Sequence, residues 1–389
     1  MRWSFYTLCA AVALCCVSCG DDKADDDGGI KIGGTVDYNL IDSNATTATE
    51  TLFDNLFLTK KVGVMVGQQE AYFESDEYTK SCDIYDISGK YPLMSGADFG
   101  TLTNDDYTSS NWYGKQATAQ IEWVKECYKE GVFTTFSWHF REPQYGDSFY
   151  TSDMTSATAK AAFPSILEGG EYHSYYKGKL DMIADFCKSL TDENGNLIPI
   201  IFRPWHEMDG SWFWWGVPDY ATAAQYIQNW QFTVKYLRDT KGVHNIIYAF
   251  SPNKSFTTEA EYLNCYPGDD YVDVVGFDSY EDYSKGTSYR DKTTSQLAII
   301  SEVARSRGKI AALTECGYDL KGNTWLDDLY VNYYLKMIED SGAEIAYMMF
   351  WYNSTDKNFI PTSDSTSDMT QSFCDFVNSD TILMMGDIK

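Results

Sequence analysis

Basic residues are scarce in this chain. Lys and Arg number 30 against 57 Asp and Glu, a formal net charge of −27. That balance argues against nucleic acid, whose binding depends on neutralising phosphates with Lys and Arg. It also argues against an anionic polymer and leaves a neutral one compatible. Cysteines spaced for a metal are missing as well. Cys82, Cys127, Cys187, Cys265, Cys316 and Cys374 are widely spaced, with no CxxC pair among them and no His at ligand spacing, so no metal site is expected. No Gly-rich phosphate loop follows the first strand-like run, which weighs against an open nucleotide-binding sheet. No internal repeat is visible. The N-terminal apolar run, Leu8 to Val17, is too short for an ordinary transmembrane helix.

Aromatics, by contrast, are abundant. They make up 16% of 389 residues, with 30 Tyr and 11 Trp. Tyr and Trp pair a flat apolar face with a polar handle, which suits contact with sugar rings, although most of the tyrosines read as packing. The length fits one large α/β barrel and would also fit two medium domains.

The most informative stretch is 198–216, IPIIFRPWHEMDGSWFWWG. Ile198 to Phe202 is an apolar, β-branched run preceded by a turn signal at Asn194-Gly195-Asn196, the pattern of a strand buried on both faces. Pro204 ends it. Glu207 then falls at the carboxyl end of the strand, where α/β folds carry their chemistry. An ion pair with Arg203 is the structural alternative for this Glu. A second stretch, KIAALTECGY at 309–318, repeats the arrangement: the strand Ile310 to Leu313 runs into Glu315. Two carboxylates at the ends of two buried strands are the minimum equipment for glycoside hydrolysis, one holding a proton and the other ionised.

Strand-like runs recur along the chain: Val62 to Val66, Tyr91 to Ala97, Phe133 to Trp138, Ile198 to Phe202, Asn245 to Phe250, Val272 to Phe277, Ile310 to Leu313 and Ile345 to Phe350. Helical periodicity appears over Ala117 to Glu130, Tyr172 to Leu190, Tyr220 to Arg238, Ser295 to Ser306, Trp325 to Asp340 and Met369 to Val377. Eight strands mostly alternating with helices predict an α/β fold, a (β/α)8 TIM barrel forming a single catalytic domain over 46–389. Polar or aromatic residues close the strands: Gln68, Asp98, His139, Glu207, Asn253, Asp278, Glu315 and Trp351. A barrel active site draws on several strand ends in this way.

Residues 1–18 read as a targeting segment, with Arg2 ahead of the apolar run. Ser18-Cys19 and the acidic stretch after it resemble the lipoprotein signals of Bacteroidetes. That resemblance implies lipidation of Cys19, with Cys16 as the alternative, and a membrane anchor at the cell envelope. Residues 19–45 read as a flexible acidic tether. Six cysteines remain beyond the leader. Cys127 and Cys187 lie in helical patterns and read as buried thiols; disulfide pairing stays open.

Arg203-Pro204-Trp205-His206-Glu207 with Gly210-Ser211-Trp212-Phe213-Trp214-Trp215-Gly216 resembles glycoside hydrolase family 26. Thr314-Glu315, Ser137-Trp138-His139 and Asp278-Ser279-Tyr280 fit it too. The resemblance spans roughly 50–380. It implies a retaining endo-β-1,4-mannanase with Glu207 as acid/base and Glu315 as nucleophile. It further implies that Tyr280 holds the nucleophile and that His206 hydrogen-bonds near it or the substrate. Trp212 and Trp351 become sugar platforms, and His139 lines the subsite beside the cleavage point. It implies no cofactor and no metal, a neutral β-mannan as partner, and a monomer. Two positions depart from the pattern: Gln68 stands where the family often has His after Gly67, and Tyr352 follows Trp351 where some members carry Arg. Mixed-linkage β-glucan or β-xylan, a mannobiose-releasing exo-action, and a non-catalytic glycan-binding lipoprotein are the alternatives.

Overall fold

The computed structural model describes residue 30 and residues 33–74, 77–146, 148–280, 288–321 and 326–388. The leader, Cys19 and the acidic run that follows it lie outside the described residues.

Eight parallel strands form the centre: β1 (Val64–Gln69), β2 (Met94–Asp98), β3 (Phe133–Ser137), β4 (Ile200–Arg203), β5 (Ile246–Phe250), β6 (Val274–Tyr280), β7 (Ile310–Gly317) and β8 (Ile345–Phe350). Each pairs with the next, and β8 returns to β1 through Met65 opposite Tyr347 and Gln68 opposite Phe350. The sheet is therefore closed, and the fold is the expected (β/α)8 barrel. Every residue of β1, β4, β5, β7 and β8 is buried. Side chains fill one face and helices cover the other, which is why these strands read as unbroken apolar runs.

Helices Trp112–Glu130, His173–Ser189, Ala223–Lys235, Ser288–Arg307 and Ser367–Val377 wrap the outside. Each follows a strand and buries an apolar stripe. The Thr222–Gln225 capping box starts the third of them, satisfying two backbone donors reciprocally. The expected helix beginning at Trp325 starts outside the described residues; the chain there is helical over Tyr330–Ser341. Helix Ser156–Ile166, between β3 and β4, escaped the sequence reading.

Ahead of β1 the chain covers the floor of the barrel. Helix Thr47–Thr59 lies there, with Leu52, Phe53, Leu56 and Phe57 packed against inward-facing Met65, Ile247 and Tyr347. Residues 33–45, read above as flexible tether, are bound to it. Tyr38 sets its ring edge-on to Phe57 at 4.7 Å, the Ile41 N–H donates to Asp273 Oδ1 at 2.9 Å, and Asp42 holds His244 Nδ1 at 2.8 Å. Val36, Tyr38 and Leu40 alternate with polar Asp37 and Asn39, a short period-2 pattern, and the structure half-buries that side of the segment against the floor without pairing it into the sheet.

Cys127 and Cys187 are fully buried thiols, as expected.

Candidate active site

The site sits at the carboxyl ends of the strands. At the end of β4 the chain turns sharply: Trp205 and Glu207 both have positive φ, 55° and 53°. Left-handed backbone at such residues costs of order 1 kcal/mol or more each and persists only where the surroundings enforce it. They do so here. The Trp205 indole N–H bonds Thr233, its carbonyl accepts from Tyr226, Trp215 donates to the His206 carbonyl at 2.7 Å, and the Glu207 N–H donates to the Ser251 carbonyl at 2.8 Å. Trp214 and Trp215 are wholly buried and act as the packing that holds this turn.

The turn presents Glu207 to the pocket. Trp212 folds back over Gly210, where a Cβ would fall 2.3 Å from its ring, and its indole N–H then reaches Glu207 Oε2 at 2.6 Å. On the opposite side Glu315 extends from β7. Tyr280, on β6, donates to its Oε2 at 2.6 Å, and Arg203, on β4, holds its Oε1. Arg203 also bonds Asp278 Oδ2 at 2.7 Å, and Asp278 Oδ1 accepts from Ser251 at 2.7 Å and Thr314 at 2.8 Å. Thus Arg203 pairs with Asp278 and Glu315, not with Glu207.

One carboxylate oxygen each from Glu207, Asp278 and Glu315 lie within 4.8 Å of one another, all three residues buried. Three carboxylates and one guanidinium in so small a volume cannot all be ionised alike. Burial first, then the charges of Asp278 and Glu315, pushes the Glu207 carboxyl well above the usual range, while Trp212 and Arg203 pull it back only in part. Burial would discharge Arg203, but Asp278 and Glu315 keep it protonated. Burial and Glu315 keep the Tyr280 phenol protonated, hence a donor. The arrangement therefore offers a protonated acid facing a carboxylate held by two donors.

The remaining expected residues gather around this pair. His206 is buried, and burial, Arg203 and His139 push its imidazole well below the ordinary range, so the ring is neutral. Its Nδ1 has no hydrogen-bond partner among the described residues. His139 stands edge-on to His206 at 4.6 Å and to Trp351 at 6.0 Å. Trp212 is 36% exposed and Trp351 is half-buried, so both keep surface available to a ligand. His173 and His244 lie elsewhere, bonded to the Ile166 carbonyl and to Asp42.

Sequence reasoning missed the pairing of Arg203 and also Tyr150. The segment after β3 makes an antiparallel bridge between Tyr150 and Phe213, and the two rings stack at 5.5 Å. Burial, and then the charges of Glu207 and Glu315, hold the Tyr150 phenol above its ordinary range. Nothing in the local sequence distinguished it from the other tyrosines.

The profile of glycosyl hydrolase family 26 matches residues 41–354. The chain belongs to glycosyl hydrolase family 26. Among solved family 26 structures, GH26C from Muricauda sp. superposes with a TM-score of 0.86 at 40% identity, covering 92% of this chain and 98% of that one. A family 26 β-mannanase from Bacteroides ovatus gives a TM-score of 0.78 at 31% identity, covering 88% and 96%. In sequence, a mannan endo-1,4-β-mannosidase of Bifidobacterium adolescentis is 34% identical over 328 residues, 81% of this chain and 32% of that protein. One from Bacillus subtilis is 28% identical over 56% of this chain and 58% of its own length. The chain thus spans about a third of the first of these mannosidases and somewhat under three fifths of the second.

Proposed function

We propose that this family 26 chain is a retaining endo-β-1,4-mannanase in which Glu315 is the nucleophile and Glu207 the acid/base. The observation that carries the reading is the approach of the Glu207 and Glu315 carboxylates to within 4.8 Å. It suits the retaining separation of about 5 Å and leaves no room for the water that inverting enzymes place between carboxyls some 6.5–9.5 Å apart. The mannosidase names of the relatives support mannan over other neutral glycans.

Glu315 attacks the anomeric carbon while Glu207 gives its proton to the departing glycosidic oxygen. The C–O bond to the leaving sugar breaks as the bond to Glu315 forms. Neutralising Glu315 in this ester removes one of the charges that raise Glu207, so Glu207 becomes the base that takes a proton from water. Water then releases the sugar with its original configuration.

Incubation with galactomannan, glucomannan, lichenan and xylan, with products sized over time, tests substrate and mode together. Rapid shortening of the two mannans with a spread of oligomer lengths is expected. Release of mannobiose alone, or preference for lichenan or xylan, overturns the endo-mannanase assignment. Proton NMR of the first anomer formed tests retention.

We also read residues 1–18 as a lipoprotein signal and Cys19 as the lipid-bearing residue, which assigns the protein to the cell envelope. The support is sequence alone: Arg2, the short apolar run and the acidic residues after Cys19. Metabolic labelling with a fatty-acid analogue should mark the wild type and not Cys19→Ala; equal labelling of both rules the site out.

A further inference from the structure

Asp98 closes β2, and the whole of its carboxylate is surrounded by donors. The Gly100 N–H donates to Oδ1 at 2.6 Å, the Ser137 hydroxyl to Oδ2 at 2.6 Å, and the His139 N–H to each oxygen at 3.2 Å. The His139 ring adds Nδ1 to Oδ2 at 2.7 Å. The clamp is tight: a Cβ on Gly100 would sit 2.7 Å from Asp98 Oδ1 and 2.9 Å from the His139 carbonyl. Burial raises this carboxyl, but His139, Ser137 and Gly100 overcome that and hold it at about 2, so it is ionised throughout the working range. An ionised carboxylate offers no proton, so the Nδ1 that meets it carries one.

We infer that Asp98 is a positioning residue for the reaction, acting through His139: it fixes the proton on Nδ1 and leaves Nε2, on a ring packed against His206, Phe213 and Trp351, as the atom offered to a sugar hydroxyl. The inference rests on the proposed function for its substrate, while the tautomer itself does not.

Asp98→Asn is the informative variant because its outcome is forced. The Gly100 N–H is a backbone donor and cannot reverse, so the amide oxygen must stay at the Oδ1 position. The amide NH2 then occupies the Oδ2 position and meets His139 Nδ1 with hydrogens. Ser137 can turn its hydroxyl to accept; His139 can accept only by moving its proton to Nε2. Histidine side-chain nitrogen NMR reads this directly, since the chain has only 4 His and single substitutions assign them.

The expected result is a proton on Nδ1 of His139 in the wild type and on Nε2 in Asp98→Asn. On mannan, kcat/KM falls about fivefold to a hundredfold, the scale of leaving one buried polar group unpaired. In a His139→Ala background the same Asp98 substitution changes kcat/KM by no more than about twofold, because the group it acts through is gone. Independent, multiplying losses in the two backgrounds overturn the inference, as does an Nδ1 proton retained in Asp98→Asn. Circular dichroism and the melting temperature separate loss of fold from loss of position. A wild-type protein that cleaves no mannan overturns the substrate reading instead, and the NMR comparison still decides the tautomer.

Discussion

Tyr280 donates a 2.6 Å hydrogen bond to Oε2 of Glu315, across the β6–β7 pairing that sets Asp278 opposite Glu315. The bond steadies a carboxylate whose other oxygen is already held by Arg203. A carboxylate gripped at both oxygens is aimed rather than free, and in the proposed displacement orientation is worth orders of magnitude. Tyr280→Phe keeps the ring and its contact with Phe359 but removes the hydroxyl. We expect kcat/KM on an aryl mannobioside to drop about tenfold to a hundredfold with an unchanged melting temperature. Full activity would show that Arg203 alone orients Glu315.

Glu207 and Glu315 are separated in role by what they must do for the leaving group. Glu207→Ala removes the proton donor, which matters most when the departing oxygen is a poor leaving group. Hydrolysis of the polymer should fall by about 10²–10⁴-fold, the range of general acid catalysis, while the glycosylation step of an activated aryl mannobioside is largely spared. Glu315→Ala should abolish both. Equal loss on both substrates in Glu207→Ala would remove Glu207 from the acid/base role.

The raised Glu207 carboxyl makes a signed prediction about pH. As the proposed acid, Glu207 has to be protonated in the free enzyme, so kcat/KM should be lost as pH rises through its pKa. Burial, Asp278 and Glu315 raise that pKa, so the alkaline limb should lie well above the ordinary carboxylate range. The Trp212 indole N–H favours the ionised form and opposes the rise. Trp212→Phe removes that donor and keeps an aromatic face, so the alkaline limb should move to still higher pH. Complete pH–rate profiles of the two proteins decide; a limb that moves downward or stays fixed contradicts the arrangement.

The barrel and its two glutamates were legible because both leave local marks. A strand buried on two faces is an apolar run, and a carboxylate just past such a run stands out. Ile345–Phe350 was located to the residue for that reason. β6 and β7 extend further than their apolar runs, to Tyr280 and Gly317, because Asp278 and Glu315 are themselves rungs of the ladder. The partner of Arg203 was not legible. Glu207 is near in sequence, but the strained turn at Trp205 and Glu207 carries that carboxylate away, and the guanidinium reaches across the barrel mouth to β6 and β7. Sequence proximity gave no hint of this, since the partners stand 75 and 112 positions along the chain. Tyr150 was hidden for the same reason: its place is set by a bridge to Phe213, far along the chain.

The barrel floor gives the last prediction. Asp273 accepts the Ile41 N–H on Oδ1 and the Tyr248 N–H on Oδ2, both at 2.9 Å. Both donors are backbone groups and cannot reverse. An Asn at this position has one oxygen for two donors, so its NH2 must face one of them. The residue is 1% exposed, and water is therefore not at hand to replace the lost bond. Leaving one buried N–H unsatisfied costs roughly 1–3 kcal/mol. Asp273→Asn should lower the urea midpoint accordingly while leaving kcat/KM on mannan unchanged, because the floor lies at the far end of the strands from Glu207 and Glu315. The same change made in a chain truncated before residue 46 should cost less, since the Ile41 donor is then gone. An equal cost in both chains would mean that the segment 33–45 contributes nothing through Asp273.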